Sequence, residues 1–200
     1  MQDRDYTLVI DKSGSMSTPD QAGGRSRWDA AQESTMALAR KCEQFDPDGI
    51  TVYLFSSRFR RYDNVTSSKV AQIFQENDPA GTTNLAAVLK DATDQYFQRK
   101  ASGQTKPGGE TILVITDGEP DDRKAVMVAL IEASRQMERD EELAISMIQV
   151  GNDATATQFL KALDDQLQGI GAQFDICDTI TIDDMADLTL SEVLLNAISD

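Results

Sequence analysis

Hydrophobic and polar residues follow two different periodicities along this chain. Short apolar runs rich in β-branched residues predict buried strands at 6–10, 50–55, 111–115, 143–150 and 174–180. Between these runs, apolar residues recur at spacings of three and four, which predicts helices beginning near residues 28, 68, 85, 122, 155 and 189. The stripe of the first helix consists of Trp28, Ala31, Thr35, Leu38, Cys42 and Phe45.

The alternation of strands with helices defines the expected fold class. It predicts an α/β fold with a doubly wound, mostly parallel six-stranded sheet and helices on both faces, as in Rossmann-like proteins. Arg58 to Tyr62 is expected to form the one antiparallel edge strand, because Ser56-Ser57 can turn the chain back along 50–55. A length of 200 residues without low-complexity sequence favours a single domain over 1–200. Cys42 and Cys177 are interpreted as small buried hydrophobes rather than a disulfide.

Polar loops follow two of the predicted strands. Asp11 begins the loop Asp11-Lys12-Ser13-Gly14-Ser15, and Asp117 follows the run at 111–115 within Thr116-Asp117-Gly118. A third loop, Gly81-Thr82-Thr83-Asn84, offers hydroxyls at the start of a predicted helix. Since ligands of open α/β sheets bind beyond the carboxyl ends of the strands, the first two loops are expected to meet at one crevice. Taken singly, each loop is equally explained as a turn or a helix cap.

These loops together offer only oxygen ligands for a metal ion. The candidate ligands are Asp11, Ser13, Ser15, Thr83 and Asp117. Hard cations prefer such a set. A few carboxylates and hydroxyls that leave some coordination positions open fit Mg²⁺ better than they fit the seven-oxygen cage of Ca²⁺. The expected cofactor is therefore Mg²⁺, with Mn²⁺ also fitting and Ca²⁺ as a further alternative.

The joint pattern resembles the metal-ion-dependent adhesion site of von Willebrand factor type A (vWA) domains and integrin inserted domains. The matching features are Asp-x-Ser-x-Ser after the first strand, Thr83 in a Gly-x-Thr loop before a helix, and Thr-Asp-Gly after the fourth strand. The resemblance implies that Ser13 and Ser15 ligate directly, that Thr83 joins them in the open state, and that Asp11 and Asp117 act directly or through water. One departure is the long loop from Ser17 to Arg27, interpreted as an insertion over the site.

The resemblance implies a function in binding rather than catalysis. It predicts a divalent-cation-dependent protein-binding module, for adhesion or as an adaptor, in which an Asp or Glu carboxylate of the partner protein completes the metal shell. The prokaryotic intracellular type of the family also suggests a regulatory subunit of a MoxR- or chelatase-type AAA+ ATPase. A magnesium-dependent phosphoryl-transfer enzyme is the other alternative, but haloacid dehalogenase-type enzymes need an Asp at position 13, which is Ser here. The chain contains no His to act as a base, so no enzymatic activity is expected.

Charge narrows the choice of partners. The formal net charge is −15, and nine acidic residues with no Lys or Arg lie between 162 and 200, so nucleic acid is not an expected partner. The exception is the basic cluster Arg58, Arg60 and Arg61, interpreted as a solvated edge strand rather than a docking patch. No run approaches the roughly 18 apolar residues of a membrane span, and the N-terminal residues lack a signal-peptide pattern, so a cytoplasmic location is expected.

Overall fold

The computed structural model describes residues 4–42, 49–181 and 192, in which strands and helices alternate except for one pair of consecutive strands and one pair of consecutive helices. The order is β1 (Asp5–Asp11), α1 (Arg27–Cys42), β2 (Ile50–Phe55), β3 (Phe59–Val65), α2 (Ser67–Gln75), α3 (Leu85–Ala101), β4 (Glu110–Thr116), α4 (Arg123–Gln136), β5 (Leu143–Gln149), α5 (Ala154–Gln166) and β6 (Cys177–Ile180).

The strands form a six-stranded sheet in the order β3-β2-β1-β4-β5-β6. All neighbouring pairs are parallel except β2 and β3, which run antiparallel at one edge. This confirms the predicted fold class. From β1 the chain proceeds outward to β2 on one side and later to β4 on the other, so strand order reverses between β1 and β4. The loops that follow Asp11 and Thr116 lie at this reversal, where α/β sheets form ligand crevices.

Alternate residues of the central strands face two separate cores. In β1, Val9 packs with residues of α3, α4 and α5, whereas Leu8 and Ile10 pack with residues of α1 and α2. All seven residues of β4 are buried, as expected for a central strand that is covered on both faces. Trp28 lies in the second core against Phe74, with ring centroids 4.4 Å apart, which confirms its predicted core position.

The edges of the sheet differ from the predicted boundaries. β3 continues to Val65, three residues beyond the predicted end. β6 begins only at Cys177 instead of at 174. The reason is a side chain of α4: the Ser134 hydroxyl oxygen accepts hydrogen bonds from the N–H groups of Gln173 (2.6 Å) and Phe174 (2.9 Å), which removes these donors from the strand ladder.

Some predictions lie outside the described residues. These are the end of the first stripe at Phe45, the side chain of Cys42 and nearly all of the closing helix predicted from Thr189. The extent of a single domain over 1–200 therefore stays a prediction. Cys177 is buried and free. Within the described residues, no helix is long and apolar enough to cross a membrane.

Candidate metal centre

Asp11 ends β1 as a fully buried carboxylate that joins the ends of two strands. One oxygen accepts a hydrogen bond from the Ser13 N–H (2.7 Å), and the other accepts from the hydroxyl of Thr116 at the end of β4 (2.7 Å). Burial raises the pKa of Asp11 to about 6, although these two donors lower it. Asp11 is thus predominantly ionised at neutral pH and fixed in one orientation.

A row of hydroxyls connects the first loop to the second. Ser15 lies in a 3₁₀ turn at Gly14–Ser17, and its Oγ is 3.0 Å from Ser13 Oγ. The Ser15 hydroxyl also donates to Oδ1 of Asp117 at 2.8 Å. Asp117 is buried directly after β4. Three predicted ligands, Ser13, Ser15 and Asp117, therefore form one continuous hydrogen-bonded row, and Asp11 holds the backbone of its first member.

Thr83 reaches the same region through its backbone. The Gly14 N–H donates to the Gly81 carbonyl (3.2 Å), which places the third loop against the first. The Thr83 N–H donates to the Asp121 carboxylate (3.0 Å), and the Asp121 N–H donates to the Thr83 carbonyl (2.9 Å). Within 4–42 and 49–181, the Thr83 hydroxyl is not part of the row formed by the other predicted ligands. The structure thus brings the Thr83 loop to the site without joining its side chain to that row.

Two acidic residues after Asp117 have distinct roles. Asp122 is the N-cap of α4 and accepts from the Ala125 N–H (2.9 Å), as expected for a helix that the sequence predicts to begin near residue 122. Asp121 instead accepts from the Thr82 hydroxyl (2.6 Å) as well as from the Thr83 N–H. Asp121 therefore clamps the third loop onto the second, a role that local sequence did not indicate.

Arg27 is the main feature of the site that sequence reasoning missed. Its guanidinium donates to Oδ2 of Asp117 (2.7 Å) and forms further hydrogen bonds with both carboxylate oxygens of Asp20. The Arg27 side chain is 9% exposed, and that of Asp117 is 0% exposed. Asp20 and Asp117 raise the pKa of Arg27, and Arg27 in turn lowers the pKa of Asp20. The signal available in the sequence was an Arg beside the Trp28 stripe, but its partner Asp117 lies 90 residues away.

Arg27 also fixes the long loop that sequence alone interpreted as an insertion. Its backbone N–H donates to the Thr18 carbonyl (3.1 Å), and its side chain holds Asp20. On the far side, the guanidinium packs against Gly151, in the loop after β5, so closely that a Cβ at this position would overlap it. The loop between Ser17 and Arg27 is therefore attached to the candidate site through one buried ion pair.

The donor set fits a small, hard cation. The Ser15 oxygen lies within hydrogen-bond distance of an oxygen of Ser13 and of one of Asp117, and Asp11 adds a buried carboxylate with a pKa of about 6. Such a mixture of hydroxyls and carboxylates suits Mg²⁺ or Mn²⁺. In the described part of the chain, no group of three or more His, Cys, Asp or Glu side chains could hold a metal. A cation at this site would therefore depend on serine hydroxyls as well as on carboxylates.

Comparison with known proteins identifies the family. Residues 6–119, more than half of the chain, match the von Willebrand factor type A domain, so the chain belongs to this family. The matched segment includes all five predicted ligands and Arg27. A comparison with curated protein sequences gives no significant match.

Solved structures show the same fold at low sequence identity. A D319A mutant of the PilB minor pilin from Streptococcus sanguinis superposes with a TM-score of 0.71 at 14% identity, covering 100% of this chain and 61% of the pilin. The pilus adhesin SpaC from Lactobacillus rhamnosus GG gives 0.64 at 15% identity, covering 98% of this chain and 30% of the adhesin. Manganese-loaded TRAP protein from Plasmodium vivax gives 0.62 at 16% identity, covering 97% and 74% respectively. The chain thus spans under two thirds of the pilin and of the adhesin.

Proposed function

We propose that this vWA domain is a protein-binding module that requires a divalent cation, with Mg²⁺ as the physiological ion. The observation that carries the proposal is the row of Ser13, Ser15 and Asp117 oxygens, backed by the buried carboxylate of Asp11. Ser13 and Ser15 would be direct ligands. Asp11 and Asp117 would act directly or through water, and Thr83 would join when its loop rearranges.

The cation would supply a fixed positive charge that accepts a carboxylate from an Asp or Glu of the partner protein. In a partly desolvated crevice such a bond is strong and directional. The comparisons are consistent with this role, because the similar structures include a pilus adhesin and a manganese-loaded protein. An adaptor for an AAA+ ATPase of the MoxR or chelatase type would use the same site with another partner, and it stays a prediction from sequence.

The arrangement does not favour a catalytic function. The chain has no His to act as a general base for a hydroxyl nucleophile. The cytoplasmic location expected from sequence stays a prediction, since two of the similar structures are pilus proteins.

Metal-dependent stabilisation tests the proposal. A ligand that binds only the folded state stabilises it by about 2.7 kcal/mol at a hundredfold excess over its Kd. We expect Mg²⁺ or Mn²⁺ to raise the Tm of the wild type relative to EDTA, and to leave the Tm of Asp117→Ala unchanged. Asp94→Ala, which removes a half-buried acid of α3 paired with Lys90, is the charge-matched control and should respond as the wild type does.

Isothermal titration calorimetry with MgCl₂ would give the stoichiometry, expected to be one ion per chain. Identical melting curves of the wild type in EDTA and in saturating Mg²⁺, with no heat of binding, would refute the metal site. Magnesium-dependent hydrolysis of a generic phosphate ester that Asp117→Ala abolishes would refute the binding function in favour of an enzyme.

A further inference from the structure

A basic crevice opens beside the candidate metal centre. It has a volume of about 340 Å³ and is lined by Lys12, Ser56, Ser57, Arg58, Phe59 and Arg60, among others. Arg58, Phe59 and Arg60 are exposed at the β2–β3 turn and the start of β3, the strand at the edge of the sheet. We call this surface the basic crevice.

The basic crevice and the metal centre share backbone. Lys12 lies between the proposed ligands Asp11 and Ser13, and its carbonyl accepts from the Ala80 N–H (2.7 Å) in the stretch leading to Thr83. The Ser57 hydroxyl oxygen accepts from the Thr82 N–H (3.1 Å). The basic crevice and the proposed ligands are therefore held by the same loops.

Lys12, Arg58 and Arg60 supply the positive charge of the basic crevice, and the carboxylate of Glu76 interacts electrostatically with Arg60. Within residues 4–42 and 49–181, none of the three forms an ion pair. The Lys12 ammonium donates to the Asp78 carbonyl (3.2 Å), and Arg60 donates to the Tyr62 hydroxyl (3.4 Å).

The third Arg of the cluster has a different environment. Arg61 points to the opposite face of β3, pairs with Asp63 at 2.7 Å and lies over the ring of Tyr53. Strand alternation therefore separates Arg61 from Arg60, whereas the ring of Phe59 lies 5.9 Å from that of Tyr53, on the face of Arg61. Arg58 and Arg60 are exposed at the sheet edge, as the sequence predicts, and both also line the basic crevice with Lys12.

We infer that the basic crevice docks an acidic segment of the same partner protein whose carboxylate completes the metal shell, an inference that rests on the proposed function. Charge complementarity favours this occupant. One carboxylate would bind the cation while further carboxylates of the same segment bind Lys12, Arg58 and Arg60. The net charge of −15 disfavours a nucleic acid at the same surface. The partner is thus recognised by an acidic cluster and not by a lone Asp or Glu.

Amide chemical shifts of the full chain, titrated with a hexaglutamate peptide in Mg²⁺, test this inference. We expect the shifts to concentrate at residue 12 and residues 56–60, and to weaken with added NaCl. Hexaglutamine should produce none of them. Arg58→Glu with Arg60→Glu should raise the Kd at least about tenfold, since each 1.4 kcal/mol of lost interaction is a factor of ten.

The matched control is Arg40→Glu with Arg139→Glu, which makes the same charge change at exposed positions near the amino ends of the strands. It should change the Kd by less than about twofold, because exposed charges beyond a Debye length are largely screened. The milder pair Arg58→Gln with Arg60→Gln should give an intermediate Kd. Equal Tm values for all variants would show that folding is unaffected.

The other possible results of the titration either overturn the inference or separate it from the proposed metal function. Unchanged hexaglutamate binding in Arg58→Glu with Arg60→Glu, no binding by the wild type, or equally tight binding of hexathymidylate DNA at the same amides would overturn the inference. Binding lost in Asp117→Ala but kept in the charge-swapped pair would overturn the crevice and keep the metal function. Binding that needs the two arginines but neither Mg²⁺ nor Asp117 would keep the crevice and overturn the metal function.

Discussion

Asp117 is the residue that connects the hydroxyl row of the site to the buried ion pair with Arg27. Its carboxylate is buried, one oxygen faces the Ser15 hydroxyl and the other faces the guanidinium of Arg27. Removing one member of a buried ion pair leaves an uncompensated buried charge, and this costs far more than losing an exposed pair. The contributions of Arg27 and of a bound cation to the same carboxylate should therefore be interdependent.

Arg27→Ala should lower the free energy of unfolding in EDTA by about 3 kcal/mol, which is the lower end of the range for removing one partner of a buried ion pair. In saturating Mg²⁺ the loss should be smaller, because the cation also neutralises Asp117. Urea unfolding with and without Mg²⁺ measures both values. Arg25→Ala, which removes the exposed pair of Arg25 with Glu33 from the same loop, should cost no more than about 1 kcal/mol in either condition. Equal losses in the two variants would contradict the role given to Arg27.

Gly151 is the second residue through which the site can be tested. It has φ of 82°, and a Cβ there would overlap the guanidinium of Arg27. Gly103 has φ of 70° with nothing within 4 Å of such a Cβ, so Gly103→Ala carries the backbone strain alone. We expect Gly151→Ala to be less stable than Gly103→Ala by about 1–2 kcal/mol, typical of overpacking. In an Arg27→Ala background this difference should vanish in urea unfolding; if it persists, Arg27 is not the group displaced.

At the scale of elements, the ends of the strands are fastened by long-range polar contacts. The carboxyl ends of β1 and β4 are joined by Asp11 and Thr116. At the opposite end, Glu110 is the first residue of β4. Its buried carboxylate accepts a hydrogen bond from the Thr7 hydroxyl of β1 (2.6 Å) and forms an ion pair with Arg99 of α3. Each end of the central strand pair thus contains a buried carboxylate. Burial is the main cause that raises the pKa of both carboxyl groups, Asp11 and Glu110.

The Glu110 carboxyl gives a pH-dependence that can be checked. Burial raises its pKa above 4.5, although Arg99 and Thr7 lower it. The folded state therefore binds the proton more tightly than the unfolded state, so this contribution to stability is fully present below about pH 4.5 and is lost as pH rises through the folded pKa. Relative to Glu110→Gln, the wild type should lose free energy of unfolding between pH 4.5 and neutral pH.

Urea unfolding across this pH range measures the difference between the two proteins. Glu132→Gln, at an exposed position on α4, is the control and should run parallel to the wild type. A wild type that gains stability over Glu110→Gln as pH rises would show that the ion pair with Arg99 outweighs burial.

At the scale of the whole molecule, the excess of acidic residues sets the response to salt. A net charge of −15 produces self-repulsion in the folded state, which added salt screens. Raising NaCl from about 10 mM to about 150 mM shortens the Debye length from about 30 Å to about 8 Å and should raise the Tm at neutral pH. Near the sequence pI of about 4.3 the same addition should have little effect. A Tm that falls with NaCl at neutral pH would indicate that favourable ion pairs outweigh the repulsion.

The sequence by itself was sufficient to predict the fold class and the elements of the described residues, apart from the bounds of β3 and β6. Periodicity depends on whether each residue faces a core, so the fully buried β4 and the stripe from Trp28 to Leu38 could be assigned locally. The loops after β1 and β4 could be paired because parallel strands present their carboxyl ends at one edge. The segment containing the five candidate ligands also falls within the vWA match.

Only the tertiary structure decided which distant side chains meet. The pairing of Arg27 with Asp117, the contact of Asp121 with Thr82 and Thr83, and the hydrogen bonds of two N–H groups with Ser134 join residues 38 to 90 positions apart. Local periodicity carries no information on such pairs, because they depend on the order of strands in the sheet. For the same reason, the separation of Arg61 from Arg58 and Arg60 became visible only once β3 lay antiparallel at the edge, beside the loop that contains Lys12.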